Sequence, residues 1–278
     1  MTALIACDLD RTLIYSHRFF ISLDSANCVE IYRDTPISFM TMAASIRLEC
    51  LARTEILLPA TTRTVDQFNR IQLPGRPCRY AVTSNGATIL HNGVPDTGWR
   101  LAVEERVQAG SVPITEVMAE LHNRVSDRWV RNVRVAEELF CYLVVDESAV
   151  PDAFVGEWSS WCTPRGWTVS RQGRKIYSVP TGLCKSAAVA EVRRRLVDSG
   201  ELAEHAPLLA AGDGVLDSDL LEYADAAIRP AHGELHDLEW TTTCLRVTRS
   251  KGPAAAEEIL DWFSDRARKY RQSSIELN

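Results

Sequence analysis

Short apolar runs alternate along the chain with longer stretches of helical periodicity. The apolar runs do not alternate with polar residues, which predicts strands buried on both faces, as in a parallel sheet. Between them, apolar residues that recur at three- and four-residue steps predict helices over 37–51 and 189–196. This order predicts a doubly wound, Rossmann-like α/β core. The predicted strands lie at 3–7, 55–60, 80–83, 207–211 and 225–229.

The middle of the chain departs from this order and predicts a second folding unit. Two helix–strand–strand patterns follow each other, which favours an antiparallel sheet with helices on one face. We therefore predict an inserted α+β cap at 87–181 within a core formed by 1–86 and 182–278, with its tryptophans in the cap interior. The helices are predicted at about 112–125 and 152–162, and the strands at 129–133, 140–145, 167–170 and 175–179.

Composition and charge narrow the class of protein. The 278 residues are 46% hydrophobic and 24% charged, which is typical of a globular protein. A net charge of −6 argues against nucleic acid or an anionic membrane as the main partner. The first residues lead directly into a strand, which predicts a cytoplasmic protein. The sequence leaves open whether it is a monomer or a homodimer. The eight cysteines show no Cys-x-x-Cys spacing, so neither a zinc site nor a disulfide framework is expected.

Polar clusters follow several of the predicted strands, where open α/β sheets bind their ligands. Asp8 and Asp10 end the first strand, and two carboxylates so close destabilise the fold unless a cation lies between them. If the strand ends converge, Asp213 joins them and the three offer the oxygen ligands that Mg²⁺ prefers. The remaining polar positions are Thr12, Thr61, Thr62, Arg63, Lys185 and Asp217.

Together these motifs resemble those of a known family. Asp8-x-Asp10-x-Thr12, a threonine after the next motif strand, a lone lysine and Gly-Asp-x-x-x-Asp are similar, in this order, to the motifs of the haloacid dehalogenase superfamily. "PATTRT", "VTSNGA" and "GLCKSAAV" resemble its Cof-type, or IIB, phosphatase branch, which includes sucrose-phosphate phosphatase. That branch carries its cap where we predict the insertion. The chain differs from it at Thr62, where glycine is usual, and at Leu216, where asparagine is common.

The resemblance implies a mechanism of phosphate ester hydrolysis. Asp8 would attack phosphorus and form an aspartyl-phosphate. Asp10 would protonate the leaving oxygen and then deprotonate water. Thr61, Thr62 and Lys185 would bind the phosphoryl oxygens.

The resemblance also implies a metal site and a substrate site. Mg²⁺ would be held by Asp8, the main-chain carbonyl of Asp10, Asp213 and Asp217, with Asp217 bound directly or through water. Substrate contacts would come from the polar residues that follow the motifs and from a basic cap hairpin. These candidates are Arg63, Asn85, Arg171, Arg174 and Lys175.

Each motif residue also has a structural alternative. Asp8 and Asp10 could cap the end of a strand, and Asp213 and Asp217 could be turn residues. Thr61 could cap a helix that begins near residue 65.

The basic and amide side chains also have structural alternatives. Lys185 could be a solvated residue at a helix start, although a cation opposes the helix dipole there. Arg63 could pair with a carboxylate, Asn85 could be part of a turn, and the cap hairpin could be solvated.

We therefore predict a Mg²⁺-dependent phosphatase of a small phosphate monoester, such as a sugar phosphate or a related metabolite. A phosphomannomutase-like phosphotransferase is the nearest alternative, since it shares the motifs and differs in what accepts the phosphoryl group. A catalytically silent binding module is the second. The cap is expected to select the substrate, with an enlarged flap at 15–36 over the site.

Overall fold

The computed structural model describes residues 2–276. No helix in that range is long and apolar enough to cross a membrane. The strands are β1 (Leu4–Cys7), β2 (Ala26–Tyr32), β3 (Thr35–Thr41), β4 (Ile56–Pro59), β5 (Tyr80–Thr83), β6 (Thr88–His91), β7 (Val94–Pro95), β8 (Val130–Ala136), β9 (Phe140–Val145), β10 (Trp167–Gln172), β11 (Lys175–Pro180), β12 (Leu208–Ala211), β13 (Ala226–Arg229) and β14 (Leu245–Val247). The helices are α1 (Met42–Thr54), α2 (Val65–Phe68), α3 (Thr97–Gly110), α4 (Ile114–Arg124), α5 (Phe154–Cys162), α6 (Lys185–Asp198), α7 (Ser218–Tyr223), α8 (Glu234–Asp237) and α9 (Pro253–Glu276).

The centre of the core is a five-stranded parallel sheet of order β14-β13-β12-β1-β4. On one face, Ile5 of β1 belongs to a buried cluster with Leu48 of α1 and Phe263 of α9. On the other face, Leu4 belongs to a cluster with Val189 of α6 and residues of α7. Strands covered on both faces explain the uninterrupted apolar runs of the sequence. The predicted doubly wound α/β core is confirmed.

Strand β5 lies beside this sheet without joining it as a ladder. It contacts β4 through an isolated parallel bridge between Ala60 and Val82. Its regular partner is β6, which pairs with it antiparallel and continues into β7. The segment 88–95, inside the predicted insertion, therefore pairs with a core strand. The insertion limits of 87 and 181 stay a prediction.

The predicted second unit contains a four-stranded antiparallel sheet of order β10-β11-β9-β8. Residues of α4 and α5 pack with this sheet in one apolar cluster. Trp158 and Trp167 are fully buried there, and the Trp158 indole donates a hydrogen bond to Ser178 Oγ at 2.8 Å. Trp161 stacks on Trp158 with ring centroids 5.0 Å apart. The antiparallel arrangement and the packing role of these tryptophans are as predicted.

The helix predicted over 37–51 is wrong in its first part. Residues up to Thr41 form β3, which pairs antiparallel with β2. The helix begins only at Met42, because the Thr41 side chain caps it by accepting a hydrogen bond from the main-chain NH of Ala44 at 2.9 Å. The apolar residues Ile37 and Met40 fell by coincidence into helical register with those of α1. Strand pairing satisfies the main chain of this segment.

The β2–β3 hairpin occupies much of the segment that the sequence suggested as a flap. It is fixed to the loop after β1 by two main-chain hydrogen bonds between Tyr15 and Phe39, of 2.8 and 2.9 Å. Val29 of the hairpin is buried in the same apolar cluster as Tyr15. The hairpin is therefore packed against the loop that carries Asp10.

Candidate active site

The candidate site lies at the carboxyl ends of three neighbouring strands. Asp8 directly follows β1, while Thr61 follows β4 and Asp213 follows β12, each across one intervening residue. These strands are adjacent in the parallel sheet, so their ends meet at one edge. Lys185, the first residue of α6, completes the group from a separate segment.

Lys185 lies between two of the carboxylates. Its ammonium Nζ is 2.7 Å from Asp8 Oδ1 and 2.5 Å from Asp217 Oδ1. All three residues are buried, and Lys185 has no exposed surface. Lys185 therefore provides part of the positive charge that a buried Asp8 carboxylate requires. The solvated-residue alternative for Lys185 is wrong.

Burial and the neighbouring charges shift the protonation of this cluster. Burial raises the pKa of Asp8 to about 7, with Lys185 opposing the shift and Asp217 adding to it. Burial alone would lower the pKa of Lys185, but Asp217 and Asp8 outweigh it and the pKa is raised. Lys185 is thus held as a cation, while Asp8 takes up a proton readily near neutral pH.

Asp217 orders the loop that carries Asp213. Its Oδ2 accepts hydrogen bonds from the main-chain NH groups of Asp213, at 3.1 Å, and Gly214, at 2.9 Å. Asp217 is thus a turn residue that also binds Lys185. A side chain on Gly212 would overlap Asp217, since a Cβ there would be 2.4 Å from its Cγ. The close approach of the Asp217 carboxylate to this loop therefore requires glycine at position 212.

Asp213 has the properties of a metal ligand. Its Oδ2 is buried and has no hydrogen-bond partner, although Arg11 Nε lies 3.5 Å away. One carboxylate oxygen from each of Asp8, Asp213 and Asp217 lies within 4.8 Å of the others. Burial raises the pKa of Asp213 well above its ordinary value, and Asp8 adds to the shift. A cation is therefore the natural partner for this oxygen, and the donor set fits Mg²⁺.

The threonines surround Asp8 and the loop after β4. Thr12 Oγ1 donates a hydrogen bond to Asp8 Oδ2 at 3.3 Å. Thr61 is fully buried, and its Oγ1 accepts the main-chain NH of Arg63 at 3.2 Å. Thr64, in a capping box, caps α2, so the alternative that Thr61 caps this helix is wrong. Thr62 is buried in the same loop.

Arg63 connects Asp10 to the β2–β3 hairpin. Its guanidinium makes a bidentate pair with Asp10, with Nε 2.6 Å from Oδ2 and Nη2 2.8 Å from Oδ1. Its Nη1 donates to Glu30 Oε2 at 2.7 Å. The buried Glu30 carboxylate also accepts hydrogen bonds from Ser38, at 2.6 Å, and Arg70, at 3.1 Å. The sequence left open whether Arg63 binds substrate or pairs with a carboxylate, and in the structure it pairs with carboxylates.

The bidentate pair sets the charge state of Asp10. Burial would raise the pKa of Asp10, but the Arg63 guanidinium outweighs it and lowers the pKa. The two carboxylates around Arg63 likewise raise its pKa against the effect of burial. Asp10 is therefore ionised, whereas Asp8 two residues away titrates near neutrality. Neighbouring aspartates with such different environments suit different chemical roles.

A cavity of about 480 Å³ opens beside Asp10. Two residues of the basic cap hairpin, Arg174 and Lys175, line it. Arg11 and Arg18, from the loop after β1 and the segment that follows it, line it as well. The structure thus brings part of the predicted substrate set to the same space as Asp10.

Two other predicted substrate residues lie elsewhere. The main-chain NH of Arg171 donates to Glu234 Oε1 at 2.7 Å, and its guanidinium reaches the carbonyl of Glu147 at 3.5 Å. Asn85 is buried in a left-handed turn and donates its amide to the carbonyl of Leu183 at 2.9 Å. Neither residue is among those that line the cavity. The turn alternative for Asn85 matches the observed geometry.

Three residues of the site escaped the sequence analysis. Arg11 stands between two motif residues, and its position alone could have marked it. Glu30 carried no signal, because only the hairpin fold brings it to Arg63. Glu234 accepts hydrogen bonds from Ser170 in β10, at 2.5 Å, and from the main chain of Val215 beside the Asp213 loop, at 3.0 Å. It joins two segments that are distant in sequence, so no local pattern could indicate it.

Comparison with solved structures identifies the fold. The structure is similar to the sucrose-phosphatase from Synechocystis, solved with sucrose and phosphate, at 16% identity and a TM-score of 0.65, covering 95% of this chain and 99% of the other. It is also similar to a subclass IIB sugar phosphatase of the haloacid dehalogenase superfamily, at 13% identity and a TM-score of 0.52, covering 95% and 99%. A Thermoplasma acidophilum protein matches at 16% identity and a TM-score of 0.55, covering 95% and 99%.

No protein-family model matches the sequence, and no curated protein matches it either. The similarity is therefore one of fold. This chain has the α/β core and additional sheet found in phosphatases of the haloacid dehalogenase superfamily. At the level of fold, the resemblance inferred from the motifs is confirmed.

The Glu30–Arg63 contact generates a stability prediction. Arg63→Met leaves the buried Glu30 without its closest cationic partner, and we expect unfolding free energy to fall by about 3 kcal/mol. Part of this loss comes from Asp10, because its ionised carboxylate also loses its Arg63 partner. Because Asp10 has a lowered pKa in the folded state, its contribution is present above pH 4 and is lost as pH falls through the folded pKa. Urea denaturation at pH 7 and at lower pH measures both effects.

A matched set of variants isolates the buried carboxylate. Adding Glu30→Gln to Arg63→Met should recover part of the lost stability, because the unpaired charge is removed and the Ser38 contact can persist. Arg47→Met, which removes a partly exposed arginine paired with Asp261 and Glu257, should cost less than about 1 kcal/mol. Equal losses for Arg63→Met and Arg47→Met would contradict a structural role for the buried pair.

The raised pKa of Asp8 predicts a pH effect of the opposite sign. In chelator-treated protein, folded Asp8 binds a proton up to about pH 7, whereas unfolded Asp8 loses it near pH 3.8. The unfolding free energy should therefore fall as pH rises from about 4 to about 7, and this contribution should then level off. Asp8→Asn should reduce the slope measured by denaturant titration. An unchanged slope in the variant would rule out Asp8 as its source.

Proposed function

We propose that this chain, which has the fold of haloacid dehalogenase phosphatases, is a Mg²⁺-dependent phosphatase of small phosphate monoesters. The observation that carries the proposal is the buried cluster at the sheet edge. There, three carboxylates within 4.8 Å of one another meet a buried lysine. Such a cluster carries more negative than positive charge, and it destabilises a fold unless a further cation binds there. The names of the similar solved structures, a sucrose-phosphatase and a sugar phosphatase, support sugar phosphates as the first substrates to assay.

The residues fit a magnesium ion. Asp8 and Asp213 would hold it together with the main-chain carbonyl of Asp10, with Asp217 beside them. The unpartnered buried oxygen of Asp213 supports this assignment. When bound, Mg²⁺ supplies positive charge that reduces the repulsion between a carboxylate nucleophile and a phosphate dianion.

Asp8 is the proposed nucleophile. One of its carboxylate oxygens would form a bond to phosphorus as the bond from phosphorus to the leaving alcohol breaks, giving an aspartyl-phosphate. Water would then attack phosphorus as the bond from phosphorus to Asp8 breaks, which releases phosphate and restores the carboxylate. Thr12 and Lys185 contact different oxygens of Asp8, at 3.3 and 2.7 Å, and thus fix its orientation.

Asp10 is the proposed acid and base. Protonated, it would donate to the leaving oxygen, and ionised, it would accept the proton of the attacking water. Arg63 stabilises the ionised state, which is the one needed for the second step. To act as the acid, Asp10 must gain a proton when substrate is bound, and a substrate that weakens the Arg63 contact would favour this.

Thr61, Thr62 and Lys185 are proposed to hold the phosphoryl oxygens. Thr61 and Thr62 lie in the loop after β4, the strand adjacent to the one that carries Asp8. Lys185 presents a compact ammonium that can contact the Asp8 carboxylate and a phosphate oxygen together. Charge that develops on the transferring group would be stabilised there.

We further propose that residues 87–181 act as the cap of a core formed by 1–86 and 182–278. The core groups contact only the phosphoryl group and its metal, which all monoesters share. Discrimination between substrates must come from groups that face the leaving half. Arg174 and Lys175 lie in the predicted cap and reach the cavity beside Asp10.

Asp8→Asn tests the proposed chemistry. We expect wild-type protein to release phosphate from 4-nitrophenyl phosphate and from sugar phosphates with Mg²⁺, and to lose this activity in EDTA. The variant should lose at least about 10³-fold in kcat, because an amide of similar shape is a poor nucleophile. Circular dichroism and thermal unfolding check that it folds.

Cys28→Ser, at an exposed cysteine outside the site, is the matched control and should keep wild-type kcat. Wild-type turnover in the Asp8 variant would refute the nucleophilic role. Formation of an isomeric sugar phosphate without free phosphate would identify a phosphomutase instead. No turnover of any phosphate ester by the wild type would favour a binding module.

A further inference from the structure

The cavity beside Asp10 carries an excess of positive charge. Arg11, Arg18, Arg174 and Lys175 line it, and Asp10 is the only carboxylate among its lining residues. That carboxylate is already occupied by the bidentate contact with Arg63. The cavity therefore holds more cations than its own acidic group can neutralise.

The partners of these four cations leave Arg174 without a carboxylate. Arg18 pairs with Glu147 at 3.3 Å, where both side chains are more than 40% exposed. Arg11 faces Asp213 at 3.5 Å without a hydrogen bond. Within residues 2–276, Arg174 forms no direct ion pair. Lys175 interacts electrostatically with Asp10 and with the Tyr177 side chain, and its ammonium lies 5.6 and 5.8 Å from the ring centres of Tyr142 and Tyr177.

The position of the cavity distinguishes these cations from the groups assigned to the transferring phosphoryl group. Asp8, Thr61, Lys185 and Asp213 are not among its lining residues. Asp10, the group proposed to protonate the leaving oxygen, does line the cavity. The cavity thus lies on the side of the site where the leaving half of a substrate would extend.

We propose that the preferred substrate is a phosphate monoester whose leaving alcohol carries a second anionic group, a carboxylate or another phosphate. This inference rests on the proposed function and specifies its substrate class. Arg174 and Lys175 bind the second anion, and Arg11 and Arg18 add to the positive field. A neutral sugar as leaving group would place hydroxyls against this excess of positive charge, which gives less binding energy than a charged hydrogen bond.

The cap hairpin contributes two of its three basic residues to the cavity. Arg171, the third basic residue of the cap hairpin, has its main chain bound to Glu234 and does not line the cavity. Of the hairpin cations, only the two nearest the turn face the cavity. Arg174 is exposed, so its guanidinium is available to an incoming anion.

Matched substrate pairs test the proposal. 3-Phosphoglycerate and glycerol 3-phosphate differ by a carboxylate, and fructose 1,6-bisphosphate and fructose 1-phosphate differ by a second phosphate. We expect kcat/KM to be at least about tenfold higher for the anionic member of one pair, the size of one charge-assisted hydrogen bond. The pair that shows the preference identifies whether the second anion is a carboxylate or a phosphate.

Variants attribute the preference to the hairpin. Arg174→Gln and Lys175→Gln should each reduce the ratio of kcat/KM within the preferred pair by about tenfold, mainly through KM for the anionic member. Arg128→Gln, at an exposed arginine that does not line the cavity, should leave the ratio within about twofold.

The outcomes separate the two levels of the proposal. Phosphate release from 4-nitrophenyl phosphate together with no preference in either pair would overturn the anionic substrate class and leave the phosphatase proposal intact. A preference that survives in both hairpin variants would overturn the assignment to Arg174 and Lys175. No release from any ester with Mg²⁺ would overturn the proposed function, and this inference with it.

Discussion

The buried ammonium of Lys185 is the interaction on which the rest of the site depends. It lies between Asp8 and Asp217, and none of the three has appreciable contact with solvent. Removing one partner of such a group leaves an uncompensated charge in the protein interior, which costs about 3–5 kcal/mol. Lys185, the first residue of α6, thus holds the Asp8 carboxylate at the end of β1. It also holds the Asp217 side chain, which orders the Asp213 loop.

A second ionic cluster and a shared glutamate connect this centre to its surroundings. Arg63 holds Asp10 on one side and the buried Glu30 of the hairpin on the other. Glu234 accepts hydrogen bonds from β10 and from the main chain of Val215. The hairpin and the antiparallel sheet are therefore each linked by one carboxylate to the loops that carry the reacting groups. Neighbouring aspartates acquire different pKa values because their partners differ: Lys185 and Asp217 for Asp8, and Arg63 for Asp10.

The sequence predicted what local patterns can encode. Uninterrupted apolar runs identified four strands of the parallel sheet, β1, β4, β12 and β13, but not β14, and the run at 80–83 forms β5, which lies outside that ladder. Polar residues at the strand ends identified Asp8 and Asp213 as neighbours, and the order of the motifs added Lys185. The helix assigned from residue 37 failed because two apolar residues of β3, Ile37 and Met40, matched the helical period by chance. Glu30 and Glu234 could not be predicted, since their partners are set by tertiary packing. The sequence also did not separate Arg171 from Arg174 and Lys175, because which of them faces the cavity depends on how the cap hairpin is positioned against Glu234.

The central claim is that Asp8 becomes phosphorylated during turnover, and chemical trapping tests it most directly. Protein mixed with Mg²⁺ and excess substrate is quenched in acid, reduced with borohydride and digested for mass spectrometry. Borohydride reduces an aspartyl-phosphate to homoserine, so the account predicts this conversion at position 8 in a fraction of the protein, and none without substrate. Active protein in which Asp8 is never modified, or in which the modification lies at another residue, would contradict the account.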